Sequence, residues 1–188
     1  MWWLELAAAR QLAMRLACIT AAGAMVAGCF QPLYGDHSFT SSPGIAAALS
    51  SVDVSQIAAR NGTPESRVAV ELRNQLLFNL TGGASPTPPT HRLVIRMTTT
   101  RLAVIVDTNS GRPDVEDYGI NVSYDLMDLK TGKPVLNSES FARVSYDIPG
   151  QEQRFARARG LRDSENRAAK LIADNIKARL ASYFVAGT

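Results

Sequence analysis

The segment from Leu16 to Cys29 decides which residues are left to fold. An apolar run from Leu16 to Ala27 follows Arg10 and Arg15 and ends in Val26-Ala27-Gly28-Cys29. The run spans 12 residues, well short of the roughly 20 that a membrane-crossing helix needs. Small side chains at Ala27 and Gly28 suit a peptidase that cuts before a cysteine, and the upstream arginines hold that end on the cytoplasmic side. The pattern reads as a bacterial lipoprotein signal over residues 1–28, with the Cys29 thiol carrying a diacylglycerol. Met14, directly before Arg15, is a second candidate start.

This reading removes chemistry as well as residues. Cys18 leaves with the signal and Cys29 is acylated, so no thiol remains for a disulfide or a metal. Only two histidines exist, His37 and His91. The expected mature chain of 160 residues is long enough for one domain with a real core. It keeps 18 basic and 16 acidic side chains, once Arg10, Arg15 and Glu5 have gone. The calculated pI near 9.1 is therefore a small excess of arginine and not a nucleic-acid footprint. Residues 151–188 hold eight of the basic and four of the acidic groups, a basic helix face suited to solvent or to an acidic partner.

After the signal, residues 29–50 read as a lipidated tether, with Phe30, Leu33 and Tyr34 as apolar anchors around Pro32. Residues 51–188 read as one α+β domain. Ser51 to Ile57 alternates and predicts a short first strand. Thr63 and Pro64 open a helix, Val68, Leu72, Leu76 and Leu80 with Leu77 form its apolar stripe, and Gly82-Gly83 ends it. Ala84 to Thr90 is a Pro-rich connector. From Arg92 the period becomes two: Leu93, Ile95 and Met97 alternate, then Leu102, Val104 and Val106 continue in the opposite parity. That change predicts a bulge within 98–101. Asp107 to Asp117 predicts a protruding polar turn. Ile120, Val122, Tyr124 and Leu126 line a third strand, and Thr131-Gly132 turns into a fourth. There Leu136, Ala142, Val144, Tyr146 and Ile148 share a face that Phe141 breaks. After Pro149-Gly150, Gln151 to Phe184 reads as a long helix with a stripe of Leu161, Ala168, Leu171, Ile172, Ile176, Leu180 and Tyr183, and Gly160 as a place to bend.

The order β-α-β-β-β-α, with turns too short for crossovers between the last three strands, predicts a two-layer sandwich. A four-stranded, mainly antiparallel sheet carries both helices on one face. The other face offers Ser, Asn, Asp, Thr and Arg.

No catalytic constellation emerges. His37 lies in the tether and His91 beside the connector, so neither Ser-His-acid nor Cys-His chemistry is indicated. Asp114, Glu116 and Asp117 lack the spacing of a calcium loop, and Gly82-Gly83 lacks the Lys-Ser/Thr of a phosphate loop. No zinc pattern occurs, and no cofactor is implied. What remains is an anchor and a small rigid domain, which points to binding or assembly. Acyl chains supply about 0.8 kcal/mol per buried methylene, enough to hold it stably at a membrane.

Gly28-Cys29-Phe30-Gln31-Pro32-Leu33-Tyr34-Gly35, the β-rich middle and the closing stretch Arg167 to Leu180 (RAAKLIADNIKARL) resemble the LPS-assembly lipoprotein family LptE in its alphaproteobacterial form. Many relatives place a glycine between the cysteine and the phenylalanine; this chain does not, which shortens the tether by one residue. The resemblance implies a non-enzymatic lipoprotein at the periplasmic face of the outer membrane, largely inside the lumen of an LptD-like β-barrel. There the pair inserts lipopolysaccharide into the outer leaflet. Phe30 beside the cysteine, where aspartate would favour inner-membrane retention in enteric bacteria, agrees with that address.

On that footing Arg96, Arg101, Arg112, Lys130 and Lys133 are candidate contacts for lipopolysaccharide phosphates, since arginine forks match phosphate oxygens. Phe30, Leu33, Tyr34 and Phe141 are candidate contacts with the barrel. A competing reading is a periplasm-facing lipoprotein that binds a hydrophobic envelope ligand without a barrel, which would need an apolar cavity between sheet and helices.

Overall fold

The computed structural model describes residues 44–84, 87–106, 111, 113–148 and 154–186. All belong to the second of two compact units, Met1–Gly35 and Asp36–Thr188. The signal segment, Cys29, Phe30, Leu33, Tyr34, Arg112 and Pro149-Gly150 lie outside the described residues.

In chain order the elements are α1 (Ile45–Ser50), β1 (Val52–Val54), α2 (Pro64–Thr81), β2 (His91–Val106), β3 (Pro113–Asp128), β4 (Pro134–Asp147) and α3 (Arg154–Ala186). The sheet order is β1-β2-β3-β4, with β1 parallel to β2 and the other pairs antiparallel. A parallel pair needs a crossover, and α2 supplies it. Apart from the added α1, this is the expected α+β architecture.

The local chemistry of α2 follows from its ends. Thr63 accepts a hydrogen bond from the Ser66 amide and Pro64 takes the first helical position. Gly82, at φ 64°, closes the helix with its amide on the Phe78 carbonyl at 2.8 Å. Val68, Leu72, Leu76 and Leu80 are buried. They meet Ala168, Ile172, Ile176 and Leu180 of α3 over Leu93, Ile95, Ile120, Val122, Tyr124 and Leu126 of the sheet. Burying each such side chain is worth about 1.5–3 kcal/mol, so this layer carries the fold.

Several expectations are corrected. Part of the expected tether is the helix α1, whose Leu49 enters the core at 2% exposure. β1 spans Val52–Val54 and not Ser51–Ile57: after one more hydrogen bond, from the Ser55 amide to the Leu93 carbonyl, the chain leaves the sheet. The β2–β3 register runs unbroken through Thr98–Arg101, and the irregularity sits at Ala103/Ile105. Leu102 therefore points away from the helices because the strand does not slip before it. Asp114, Glu116 and Asp117 belong to β3, not to a solvated turn. Leu171 is 47% exposed, at the margin of the α3 stripe. Gly160 sits within α3 and faces the Asp147 carbonyl and Tyr146 at 3.6 Å.

Candidate functional site

Strand alternation divides the three long strands into two faces. Leu93, Ile95, Tyr118, Ile120, Val122, Tyr124, Leu126, Leu136, Ala142, Val144 and Tyr146 are buried toward the helices. The opposite face, which bears no helix among the described residues, presents Arg96, Thr98 and Thr100 of β2 and Asp117, Asn121, Ser123 and Asp125 of β3. From β4 it presents Asn137, Glu139, Phe141, Arg143 and Ser145.

This outer face is knitted by polar ladders. Arg96 donates to Asp125 at 2.8 Å, and Asn137 donates to the same carboxylate from the other side, so one contact row crosses β2, β3 and β4. The Arg96 and Asn137 hydrogen bonds hold the Asp125 carboxyl below its ordinary range. Ser145 donates to Asp117 at 2.6 Å, and Arg92 meets Asp53 at 3.0 Å. A groove of about 310 Å³ beside this row is lined by Arg96, Thr98, Asn121, Ser123, Glu139 and Phe141, among others. Gly119 leaves room for the Thr100 hydroxyl, which would lie 2.5 Å from an added Cβ.

The four candidate cations within the described residues do not form one cluster. Arg96 lies mid-sheet and is already paired with Asp125. Arg101 stands opposite Tyr118 in the register, toward the far end of β2. Its charge helps to lower the Glu65 carboxyl, after that group's backbone and Thr63 hydrogen bonds. Lys130 and Lys133 occupy the β3–β4 turn, where Asp128 accepts from the Lys130 amide at 2.8 Å and Gly132 takes φ 67°. Arg101 lies ten positions along β2 from His91, at the turn end, about 33 Å of extended chain. Phe141 is 71% exposed on the outer face, opposite Asn121. His91 opens β2 and packs edge-on against Phe184 at 5.3 Å, and burial lowers its pKa.

Two polar groupings lie on the helix side that the sequence reading did not single out. Glu165 of α3, 2% exposed, is ion-paired with Arg67 of α2. Its signal was available: it interrupts the stripe between Leu161 and Ala168. Tyr146 donates to Glu116, which Arg157 approaches at 3.6 Å. Burial, reinforced by the Glu116 carboxylate, pushes the Tyr146 hydroxyl up to about 12. Pairing across two strands and a helix terminus leaves no trace in a linear pattern.

Among the described residues no group of three or more His, Cys, Asp or Glu side chains could hold a metal ion. None of their helices is long and apolar enough to cross a membrane. Among the described residues no nucleophile, base and oxyanion donor are brought together; what they offer is surface.

Comparison with solved structures supports the fold. A candidate lipoprotein from Caulobacter crescentus is 24% identical, with TM-score 0.59, covering 77% of this chain and 98% of that one. Rare lipoprotein B from Shewanella oneidensis is 15% identical, with TM-score 0.50, over 71% of this chain and 96% of its own. Lipoprotein B from Nitrosomonas europaea is 14% identical, with TM-score 0.50, over 73% and 89%. No curated protein sequence matches. The model of the LptE family, lipopolysaccharide-assembly, matches residues 49–180. That span runs from the buried Leu49 of α1 to the buried Leu180 of α3 and takes in the whole sheet. The chain belongs to the LptE lipopolysaccharide-assembly family.

Proposed function

We propose that this chain is a non-enzymatic lipoprotein, acylated at Cys29 and held at the periplasmic face of the outer membrane. There it plugs and helps to assemble an LptD-like β-barrel that inserts lipopolysaccharide into the outer leaflet. The observation that carries the reading is the family match over residues 49–180, together with a sheet face left open and polar. Such a face suits the polar interior of an outer-membrane barrel. The junction Gly28 to Gly35 supports placing it in the alphaproteobacterial form of the family.

Arg101, exposed at the far end of β2, and Arg112, which lies outside the described residues, are the cations proposed to meet lipopolysaccharide phosphates. Arg96 is compensated by Asp125 and keeps the outer face in order. Reversing the charge at Arg101 and Arg112 should weaken lipopolysaccharide binding by the purified protein; unchanged binding would remove that pair from the site. Phe30, Leu33, Tyr34 and the exposed Phe141 are the proposed barrel contacts.

The competing hydrophobic-ligand reading asks for a cavity between sheet and helices. That layer is occupied by Leu72, Leu76, Ile120, Ile172, Ile176 and Leu180, each fully buried, and the reading gains no support there. The test is affinity purification of the tagged, lipidated chain from outer membranes. One large β-barrel should accompany it in equal amount, and mass spectrometry should find Cys29 acylated. Recovery of the chain alone, or free in the periplasm with an unmodified thiol, would refute the proposal.

A further inference from the structure

β4 is the last strand of the sheet order, so one long side of Pro134–Asp147 has no neighbouring strand among the described residues. An open edge is a template for another strand, and proteins normally blunt it with charge. The charges on this edge are arranged in an unusual way. On the outer face of β4, Glu139, Phe141 and Arg143 follow one another at alternate positions, with the acid and the base equidistant from the phenylalanine. Neither the Glu139 nor the Arg143 side chain has an ion pair or hydrogen bond among the described residues. Phe141 between them is 71% exposed.

Read against an antiparallel copy of itself, this pattern is its own complement. With Phe141 opposite Phe141 of a second copy, Glu139 falls opposite Arg143 of that copy, and Arg143 opposite its Glu139. Directly opposed side chains in such a pair stand about 4.5–5.5 Å apart at Cβ. We propose that β4 pairs antiparallel with β4 of a second copy of this chain, about a two-fold axis at Phe141, joining the two sheets into one.

The helix side of the edge has room for this. A groove of about 350 Å³ opens there, lined by Tyr124, Ser138, Ser140, Asn175 and Arg179 with Glu139 and Phe141. In the same register, Ser138 and Ser140 face Val144 and Ala142 of the second copy. The two-fold sets Ser138 of one copy six positions from Ser138 of the other, so the Arg179 side chains beside them do not meet. The opposite edge does not offer an equivalent. β1 pairs with β2 only as far as Leu93, and the open stretch beyond carries Arg96, already paired with Asp125, and Arg101, with no acid of its own to face them in a second copy.

This association is independent of the barrel reading, and a barrel wall and a second copy would cover the same Phe141 ring. The two states exclude each other at any moment. The test therefore uses the full chain purified in detergent without any barrel, so its failure leaves the barrel proposal untouched.

Sedimentation over a range of concentrations should show a monomer–dimer equilibrium. Glu139→Arg alone and Arg143→Glu alone should each weaken the dimer by about tenfold or more, because each sets like charges face to face. The double variant should restore it. Phe141→Cys should join to itself under mild oxidation. Val135→Cys should not, because that position faces Asp147 of the other copy. A wild-type chain that stays monomeric throughout, equal cross-linking at Val135 and Phe141, or a double variant as weak as the singles while melting like wild type would each overturn the proposal.

Discussion

Near the β3–β4 turn, Leu93, Leu126 and Leu136 lie beneath the helices, and all three are buried. Toward the β2–β3 loop, Arg101, Leu102, Ala103 and Val104 are exposed whichever face their parity assigns them. The strands are the same and the register is continuous through Leu102; what differs is cover. Helix α2 starts at Pro64 and α3 at Arg154, and beyond them no helix among the described residues covers the hairpin. Strand identity is therefore a local property, whereas burial is decided by where a distant helix begins.

The comparison breaks first if the ends respond alike to truncation. Leu126→Ala at the covered end should cost about 3 kcal/mol, the usual toll of a large cavity. Leu102→Ala, 64% exposed, should stay within about 0.5 kcal/mol. Denaturant melts of the two variants test this, and similar midpoints would refute the asymmetry.

The limit of helix cover is marked by polar pairs, which supply the next effects. Arg67→Met leaves the buried Glu165 carboxylate without its partner and should destabilise by about 2–3 kcal/mol, at the low end for a buried pair because Arg67 is itself part exposed. Adding Glu165→Leu should recover most of that loss. If the double variant melts as low as the single, the ion pair is not the source.

Tyr146→Phe removes a hydrogen bond to Glu116 and should cost about 1–2 kcal/mol. It also has a pH signature. The folded pKa of about 12 lies above the ordinary 10, so the bound proton stabilises the fold fully below pH 10. That contribution is lost as pH rises from 10 through about 12. Wild type should therefore lose its margin over Tyr146→Phe across that window, read from melts at stepped alkaline pH.

The smallest effect has the opposite sign. At Gly160 an added Cβ meets Asp147 and Tyr146 at an ordinary 3.6 Å, so Gly160→Ala should stabilise α3 by about 0.5–1 kcal/mol. A loss of stability would mean that the helix needs to yield there.

The covered end was legible in the sequence because its alternation and the two helical stripes point at each other: Leu72, Leu76, Ile172 and Ile176 could face only Ile120, Val122 and Tyr124. Leu102, Val104 and Val106 were legible as strand but not as surface. Period two names two faces without saying which is covered, and a parity change looks the same whether the strand bulges or simply runs out from under its helices. Glu165 could have been noticed as a charge inside an apolar stripe. Glu116 and Tyr146 could not, since their partnership depends on a register set by a loop. The candidate cations were readable as exposed positions, but their scattering along β2 and the turn follows only from topology.

The length of α3 has a consequence of its own. Its 33 residues make a rod of about 50 Å, and the 16 residues of β2 extend about as far. The lipid-facing belt of an outer-membrane pore is only about 25 Å tall. If the chain fills such a pore as proposed, struts of that reach make it about twice the height of the belt. If they stand along the pore axis, part of the plug must emerge into the periplasm, the external medium or both, and the uncovered hairpin is the part best able to tolerate a change of surroundings.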